Sequence, residues 1–328
     1  MSRDIRTWIT KNIAFVLFLI LLVVAALTTS QFASLYNASN LLMQVSVLGI
    51  VAIGQTIVMI GRGFDLSVGV VVSLAGIISV ALQPFGLVVA ISAGILFGII
   101  VGFVNGLIIT KLDVNPLIAT LGTMTLLNGI ALGVTNQNPI SGTDLNFMLL
   151  STNLFNWLPL PFVILLVLLF IINIFLNKFH TGRKIFAIGG NEDAAKYSGI
   201  NVVQIRILSY VLCSTFASIG GILMASFLNT GSPIAGNGME LASIAAVVLG
   251  GTKLTGGSGS VFGTLWAVLI LQVLSNLLDL NGVKSYYQVG LQGIVLIVVV
   301  LMTLFSSNRS KGGGLRFTRQ AFSRKNSS

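Results

Sequence analysis

The chain has 328 residues, of which 55% are hydrophobic and 8% charged, with 18 Lys+Arg against 8 Asp+Glu and a formal net charge of +10. Soluble domains carry about 25% charged residues, so the polar supply here is too small to coat a water-soluble fold, and the apolar excess excludes a disordered chain. An integral membrane protein remains. Its one cysteine, Cys213, stands in an apolar run without a partner, so no intrachain disulfide is possible.

A bilayer core about 30 Å thick is crossed by roughly 20 apolar helical residues. In chain order, runs of that kind cover 12–29, 41–61, 86–110, 116–135, 158–176, 206–228, 261–280 and 286–305, and two shorter ones cover 66–82 and 240–250. Together they predict an all-α, polytopic membrane protein of about ten transmembrane segments. With both termini in the cytoplasm, every basic residue except Lys284 falls on the cytoplasmic side, which is the bias that sets orientation. The positive charge therefore reads as membrane topology, with no nucleic acid partner. One transmembrane domain spans 1–305. A basic cytoplasmic tail, 306–328, suits contact with anionic membrane lipid.

Within 86–110 a small residue recurs every fourth position: Gly86, Ala90, Gly94, Gly98, Gly102 and Gly106. That spacing lines one groove and lets a second backbone approach, so these residues are expected to pack helices. Gly69 and Gly76, and then Ala217, Gly221 and Ala225, carry the same signal more briefly. The run 240–250 is too short to span, because eleven residues rise only about 16 Å. Asn237 ahead of Glu240 resembles a capping box. A half-helix or broken helix is expected here, and it serves either a functional cavity or a buried structural packing role.

Motifs for catalysis are missing. The sequence holds no G-x-x-x-x-G-K-[ST] phosphate loop, no H-E-x-x-H, no Cys/His cluster and no G-x-S-x-G, and its single histidine, His180, lies in a basic loop. An enzyme is not expected, and no metal or cofactor is expected in this chain. The acidic residues Asp4, Asp65, Asp113, Asp144, Glu192, Asp193, Glu240 and Asp279 all fall in loops or at segment ends. A carrier driven by protons or sodium usually holds a titratable group in its core, so the energy is expected from elsewhere. What the core does hold is uncharged amides: Gln55, Asn105, Asn128, Gln272, Asn276, Gln288 and Gln292. Each must bond either a neighbouring helix or a polar solute. Because amides both donate and accept, they suit a neutral polyhydroxylated cargo; Gln55, Asn105, Asn128, Gln272 and Asn276 are the candidate substrate path. Asp65 and Ser67 read as a helix start or an intracellular gate.

The loop 177–205 is the most informative polar stretch. Asn191 is placed to cap a short helix whose first turn holds Glu192 and Asp193, where acidic groups complement the helix dipole, and Gly199 sits where such a helix ends. A short capped helix in a cytoplasmic loop is a docking knob for a cytosolic partner.

Four motifs carry a family resemblance: GFDLSVG at 63–69, NPLIATLGTM at 115–124, AIGGNEDAAKYSGI at 187–200 and ELASIAAVVLGGTKLTGGSGSVFGTL at 240–265. In that order the chain resembles the ribose-type permeases of ABC sugar importers. It departs from the commonest form at Arg62-Gly63-Phe64, where that family more often reads Gly-Gly-Ile. The resemblance implies a permease subunit for a neutral monosaccharide, working with a second permease chain, identical or different. It further implies cytosolic ABC ATPase subunits that hold the ATP and Mg, and an extracytoplasmic sugar-binding protein, all at the cytoplasmic (inner) membrane. Gly190, Asn191, Glu192, Ala194, Ala195, Ser198 and Gly199 match the segment expected to couple to the ATPase. The outward loops, with Asp144, Glu240 and Asp279 against Lys284, are expected to receive the binding protein. A permease of the same superfamily for a nucleoside, a furanosyl signalling molecule or an amino acid is the alternative, and a self-contained secondary carrier a more distant one.

Overall fold

A computed structural model describes residues 13–284 together with Tyr287, Gly290, Gly293, Ile294 and Ile297. The run 286–305, with Gln288 and Gln292, lies largely outside the described residues, as do 1–12 and the tail 306–328. Among the described residues, eleven α-helices account for nearly all regular structure: α1 (Ile13–Thr28), α2 (Leu35–Ile60), α3 (Val68–Ala81), α4 (Leu87–Lys111), α5 (Pro116–Thr135), α6 (Leu160–Lys178), α7 (His180–Gly190), α8 (Glu192–Tyr197), α9 (Val202–Leu228), α10 (Met239–Leu249) and α11 (Val261–Leu280). Six of them (α2, α4, α5, α6, α9 and α11) are long and apolar enough to cross a membrane, and α1, α3 and α10 are shorter apolar helices. Four two-residue strands make two antiparallel pairs, β1 (Ile140–Ser141) with β4 (Thr230–Gly231) and β2 (Asn153–Leu154) with β3 (Leu158–Pro159).

Local chemistry sets the helix ends. Ser34 accepts a hydrogen bond from the Asn37 N–H at 3.2 Å, so α2 begins six residues before the apolar run that announces it. Asn115 caps α5 by accepting from Leu117 N–H at 2.9 Å, with Pro116 in the first turn, where a missing N–H costs nothing. Asn201 does the same for α9 through Gln204 N–H at 3.1 Å, which starts that helix four residues ahead of the expected 206.

Helices α2 and α9 form the centre, and α3, α4, α6, α10 and α11 pack round them. The small-residue face of α4 lies against α9. A Cβ on Gly106 would sit 2.8 Å from Ile207 Cα, one on Gly102 would strike the Tyr210 carbonyl, and one on Gly98 would strike Ser218 Oγ. Gly94 faces α3 through Ser79. Gly86 does not belong to the groove: it precedes α4, with a φ of 99° and open space round it. It shares the four-residue spacing only because the chain turns there. The two briefer small-residue stripes meet each other, since Gly76 of α3 lies against Gly221 and Ala225 of α9.

Candidate functional site

The stretch expected as one loop, 177–205, folds as α7 and α8 between the ends of α6 and α9. Asn191 Oδ1 accepts from the Ala194 N–H at 3.0 Å, which caps α8 as its sequence predicts. Gly199, at a φ of 77°, closes it, with Ile200 N–H donating to the Ala195 carbonyl at 3.1 Å; a residue with a Cβ is strained at that φ. Glu192 clamps the helix to α9: Arg206 donates to its two carboxylate oxygens at 2.5 and 3.4 Å, and Lys196 Nζ lies 2.9 Å away. Burial pushes the Glu192 carboxyl up, but the hydrogen bond from Lys196 and the charge of Arg206 together hold it below the usual carboxylate range. The same hydrogen bond raises Lys196. Gly190, Asn191, Ala194, Ser198 and Gly199 are exposed, while Ala195 turns inward onto Ile188 and Val202. Tyr197, 93% exposed, is the largest apolar surface on the knob, and sequence reasoning passed it over because nothing in its neighbours marks its direction.

Behind this knob three connections meet at a point that the sequence does not announce. Gly257 N–H donates to the Ile60 carbonyl at 2.9 Å, and Arg62 Nε donates to the Thr255 carbonyl at 3.1 Å. A Cβ on Gly257 would lie 2.7 Å from Gly190 Cα, and one on Gly189 would strike the Ile60 carbonyl. Thus the α7–α8 junction, the end of α2 and the α10–α11 turn touch through glycine backbones. Arg62 has a φ of 70°, the left-handed conformation that glycine takes freely. This accounts for the glycine expected at that position, and the Thr255 bond shows what the arginine gains instead.

Four of the expected path and gate residues converge a few residues further on. The Asp65 side chain is fully buried, and its Oδ1 accepts from Ser67 N–H at 2.9 Å and Ser67 Oγ at 2.6 Å. Ser214 Oγ of α9 donates to its Oδ2 at 3.4 Å. Asn105 of α4 donates to Ser67 Oγ at 3.0 Å and accepts from Thr123 Oγ1 of α5 at 2.6 Å. With its amide nitrogen toward the Asp65 carbonyl (3.2 Å) and its oxygen toward the Asp65 N–H (3.3 Å), Gln55 of α2 closes the ring. The network joins the 61–67 turn to α2, α4, α5 and α9, with the Asp65 carboxylate itself taken by Ser67 and Ser214. Ser67 makes no side-chain cap on α3; Asp65 supplies that bond from two residues back.

The remaining amides are scattered. Asn276 of α11 and Asn37 of α2 exchange reciprocal amide bonds at 2.8 and 2.9 Å, joining two helices. Asn128 and Gln272 are half-buried.

Two expectations about the short run 240–250 change. Asn237 does not cap it: the N-cap is Gly238, at a φ of 85°, and Glu240 reaches back to accept from the Gly238 N–H at 3.2 Å. Glu240 is also no outward-loop residue. It lies beside Gly69 in the first turn of α3, where a Cβ would strike Glu240 Oε2. The level is fixed by α4, because Asn105 bonds Ser67 about 27 Å from the Leu87 end of that helix and about 9 Å from the Lys111 end. Asp65 and Glu240 therefore lie inside the helix bundle, nearer the Lys111 end of α4 than its Leu87 end. They look peripheral in sequence because α3 and α10 are short helices that begin inside the bundle.

A family model described as "Branched-chain amino acid transport system / permease component" matches residues 37–300. The chain is 41% identical over 290 residues to the ribose import permease protein RbsC of Bacillus subtilis, covering 86% of this chain and 89% of that one. It is 34% identical over 334 residues to the galactose/methyl galactoside import permease protein MglC of Salmonella typhimurium, covering 94% and 98%. It is 33% identical over 300 residues to the L-arabinose transport system permease protein AraH of Escherichia coli, covering 90% and 91%. No solved structure matches. The chain belongs to the ABC-importer permease family that these sugar permeases populate, a multi-pass inner-membrane transport subunit and not an enzyme.

Proposed function

We propose that this permease carries a neutral monosaccharide, ribose or a close relative, inward across the cytoplasmic membrane. About ten spans place both termini in the cytoplasm, with α7 and α8 on that side. Cytosolic ATPase subunits, which hold the ATP and Mg, seat α8 in a groove; a second permease chain completes the path, and an extracytoplasmic binding protein delivers the sugar. The observation that carries this reading is the construction of α8. It is a six-residue helix with an asparagine cap, a left-handed glycine stop and a two-cation clamp on Glu192, far more fixing than a loop of that length needs. The helix before it, α7, touches Gly257 through Gly190 and lies on the carbonyl of Ile60 through Gly189. A push on the knob therefore reaches the end of α2 and the α10–α11 turn through the backbone of the α7–α8 junction. The gate is the seven-residue stretch 61–67 with Asp65 and Ser67, which follows α2 directly and is braced by the buried Asp65.

Glu192→Lys or Gly199→Trp in the assembled transporter tests the reading. Both variants are expected to insert and to bind the ATPase subunits more weakly, with D-ribose uptake falling at least tenfold while nucleotide hydrolysis continues. Normal uptake in both would remove α8 from the coupling role.

A further inference from the structure

The strand–turn stretch that precedes α10 runs down the side of α3. Gly231 lies against Ile77 and Gly236 against Gly69, so the chain descends about 12 Å along α3 without forming a helix. Its backbone is held by the packed protein, with Gly236 N–H donating to Ser73 Oγ at 2.9 Å. There α10 starts and continues toward the end where Ile60 meets Gly257. Irregular backbone inside a membrane layer is tolerated only where it is buried in protein or lines a water-filled cavity. One side of this stretch is buried; the other is not. Ile234 is 61% exposed and Leu241 46% exposed, Asn237 is exposed, and Glu240 is half-buried between them.

Glu240 cannot face lipid at that depth without a cost of several kcal/mol. Among the described residues no basic side chain pairs with its carboxylate and no side chain hydrogen-bonds the carboxylate; the donors are backbone N–H groups, that of Gly238 at 3.2 Å and its own. Gly69, having no Cβ, leaves room for its other oxygen to lie against α3. We propose that Glu240 is a solute-contacting residue: at the break before α10 its carboxylate lines a water-filled path and accepts hydrogen bonds from the hydroxyls of a neutral polyol in transit. This rests on the reading of the chain as a sugar permease. A carboxylate accepts from two adjacent hydroxyls at once, and charge-assisted bonds are about twice as strong as neutral ones. Because α10 is a single rod from Glu240 to the turn that touches Gly190, movement at the knob also moves this contact.

The test uses the complete transporter in proteoliposomes, with whichever of D-ribose, D-galactose and L-arabinose the wild type takes up. Glu240→Gln is expected to lower sugar moved per ATP hydrolysed at least tenfold with assembly and hydrolysis retained, and Glu240→Asp to restore part of it. Asn237→Cys and Leu241→Cys are expected to react with a charged, membrane-impermeant methanethiosulfonate at least tenfold faster than Leu126→Cys on the outer face of α5, native Cys213 being fully buried. Sugar per ATP within twofold of wild type in Glu240→Gln, or labelling of both cysteines no faster than at 126, overturns the proposal. Failure of the importer reading looks different: uptake without any ATPase, whatever residue stands at 240.

Discussion

Asp65 and Glu240 are acidic residues near the openings of two short helices, and the molecule treats them in opposite ways. Asp65 lies in the turn three residues before α3, and Glu240 in the first turn of α10. Asp65 is sealed: two bonds from Ser67, one from Ser214, and Asn105 and Gln55 behind them leave it no exposed surface. Glu240 has backbone donors alone, the Gly238 N–H at 3.2 Å and its own N–H, and a half-buried side chain. A saturated carboxylate holds elements together, whereas an unsaturated one at membrane depth is available to something that passes. The glycines draw the same contrast. Those at 98, 102 and 106 on α4 are filled by α9, and those at 122, 129 and 133 on α5 meet nothing within 4 Å.

The sharpest break of that contrast is Gly98→Leu against Gly129→Leu. Gly98 faces the Ser214 carbonyl and Ser218 Oγ across the closest helix pair, so leucine must separate α4 from α9; a loss above about 3 kcal/mol is expected, read as failure to recover folded protein from detergent. Gly129→Leu should be recovered normally. If both are tolerated, the groove does not hold the fold.

Next in size, Asp65→Ala leaves the Ser67 N–H and the hydroxyls of Ser67 and Ser214 short of an acceptor in a buried site, at about 2–3 kcal/mol. Glu240→Ala should change thermal stability by less than about 0.5 kcal/mol. Equal losses in the two variants would erase the distinction between sealed and open.

Asn276→Leu removes the reciprocal pair with Asn37 and is expected to cost about 1 kcal/mol in a melting experiment. Sugar uptake per folded molecule should stay near wild type, which separates this amide from Glu240. A large uptake defect at unchanged stability would place Asn276 on the path instead.

The smallest effect is a pH dependence at α8. The Glu192 carboxyl is lower in the folded protein than its ordinary value of 4.5. Its clamp on Lys196 and Arg206 is therefore complete above about pH 5 and is lost as pH falls through the lowered folded value. At this exposure the contribution stays below about 1 kcal/mol. Hydrogen exchange of the 191–206 segment should be flat from pH 8 to 5 after correction for intrinsic rate and rise below about 4. A rise between pH 8 and 6 would contradict the clamp.

Sequence patterning was enough for the long helices because one property, apolar length, decides them; the ends of α5 and α11 coincide with the runs 116–135 and 261–280. The α8 knob was legible for a different reason: Asn191 and Gly199 are local signals, each acting on backbone within three or four residues. What was not legible is convergence. Gln55, Asp65, Asn105 and Ser214 are far apart in the chain and become one network only when α2, α4 and α9 pack round the 61–67 turn. Nor does a residue's place in an apolar run report its depth. Glu240 opens such a run, and only the descent of 231–236 along α3 puts it inside.

The most direct test of the account is sugar uptake into proteoliposomes holding the permease alone, compared with the same permease joined by its ATPase subunits and binding protein. The account predicts entry of labelled sugar only in the complete assembly, only with hydrolysable ATP, and lost in Glu192→Lys. Rapid uptake by the permease alone would contradict it.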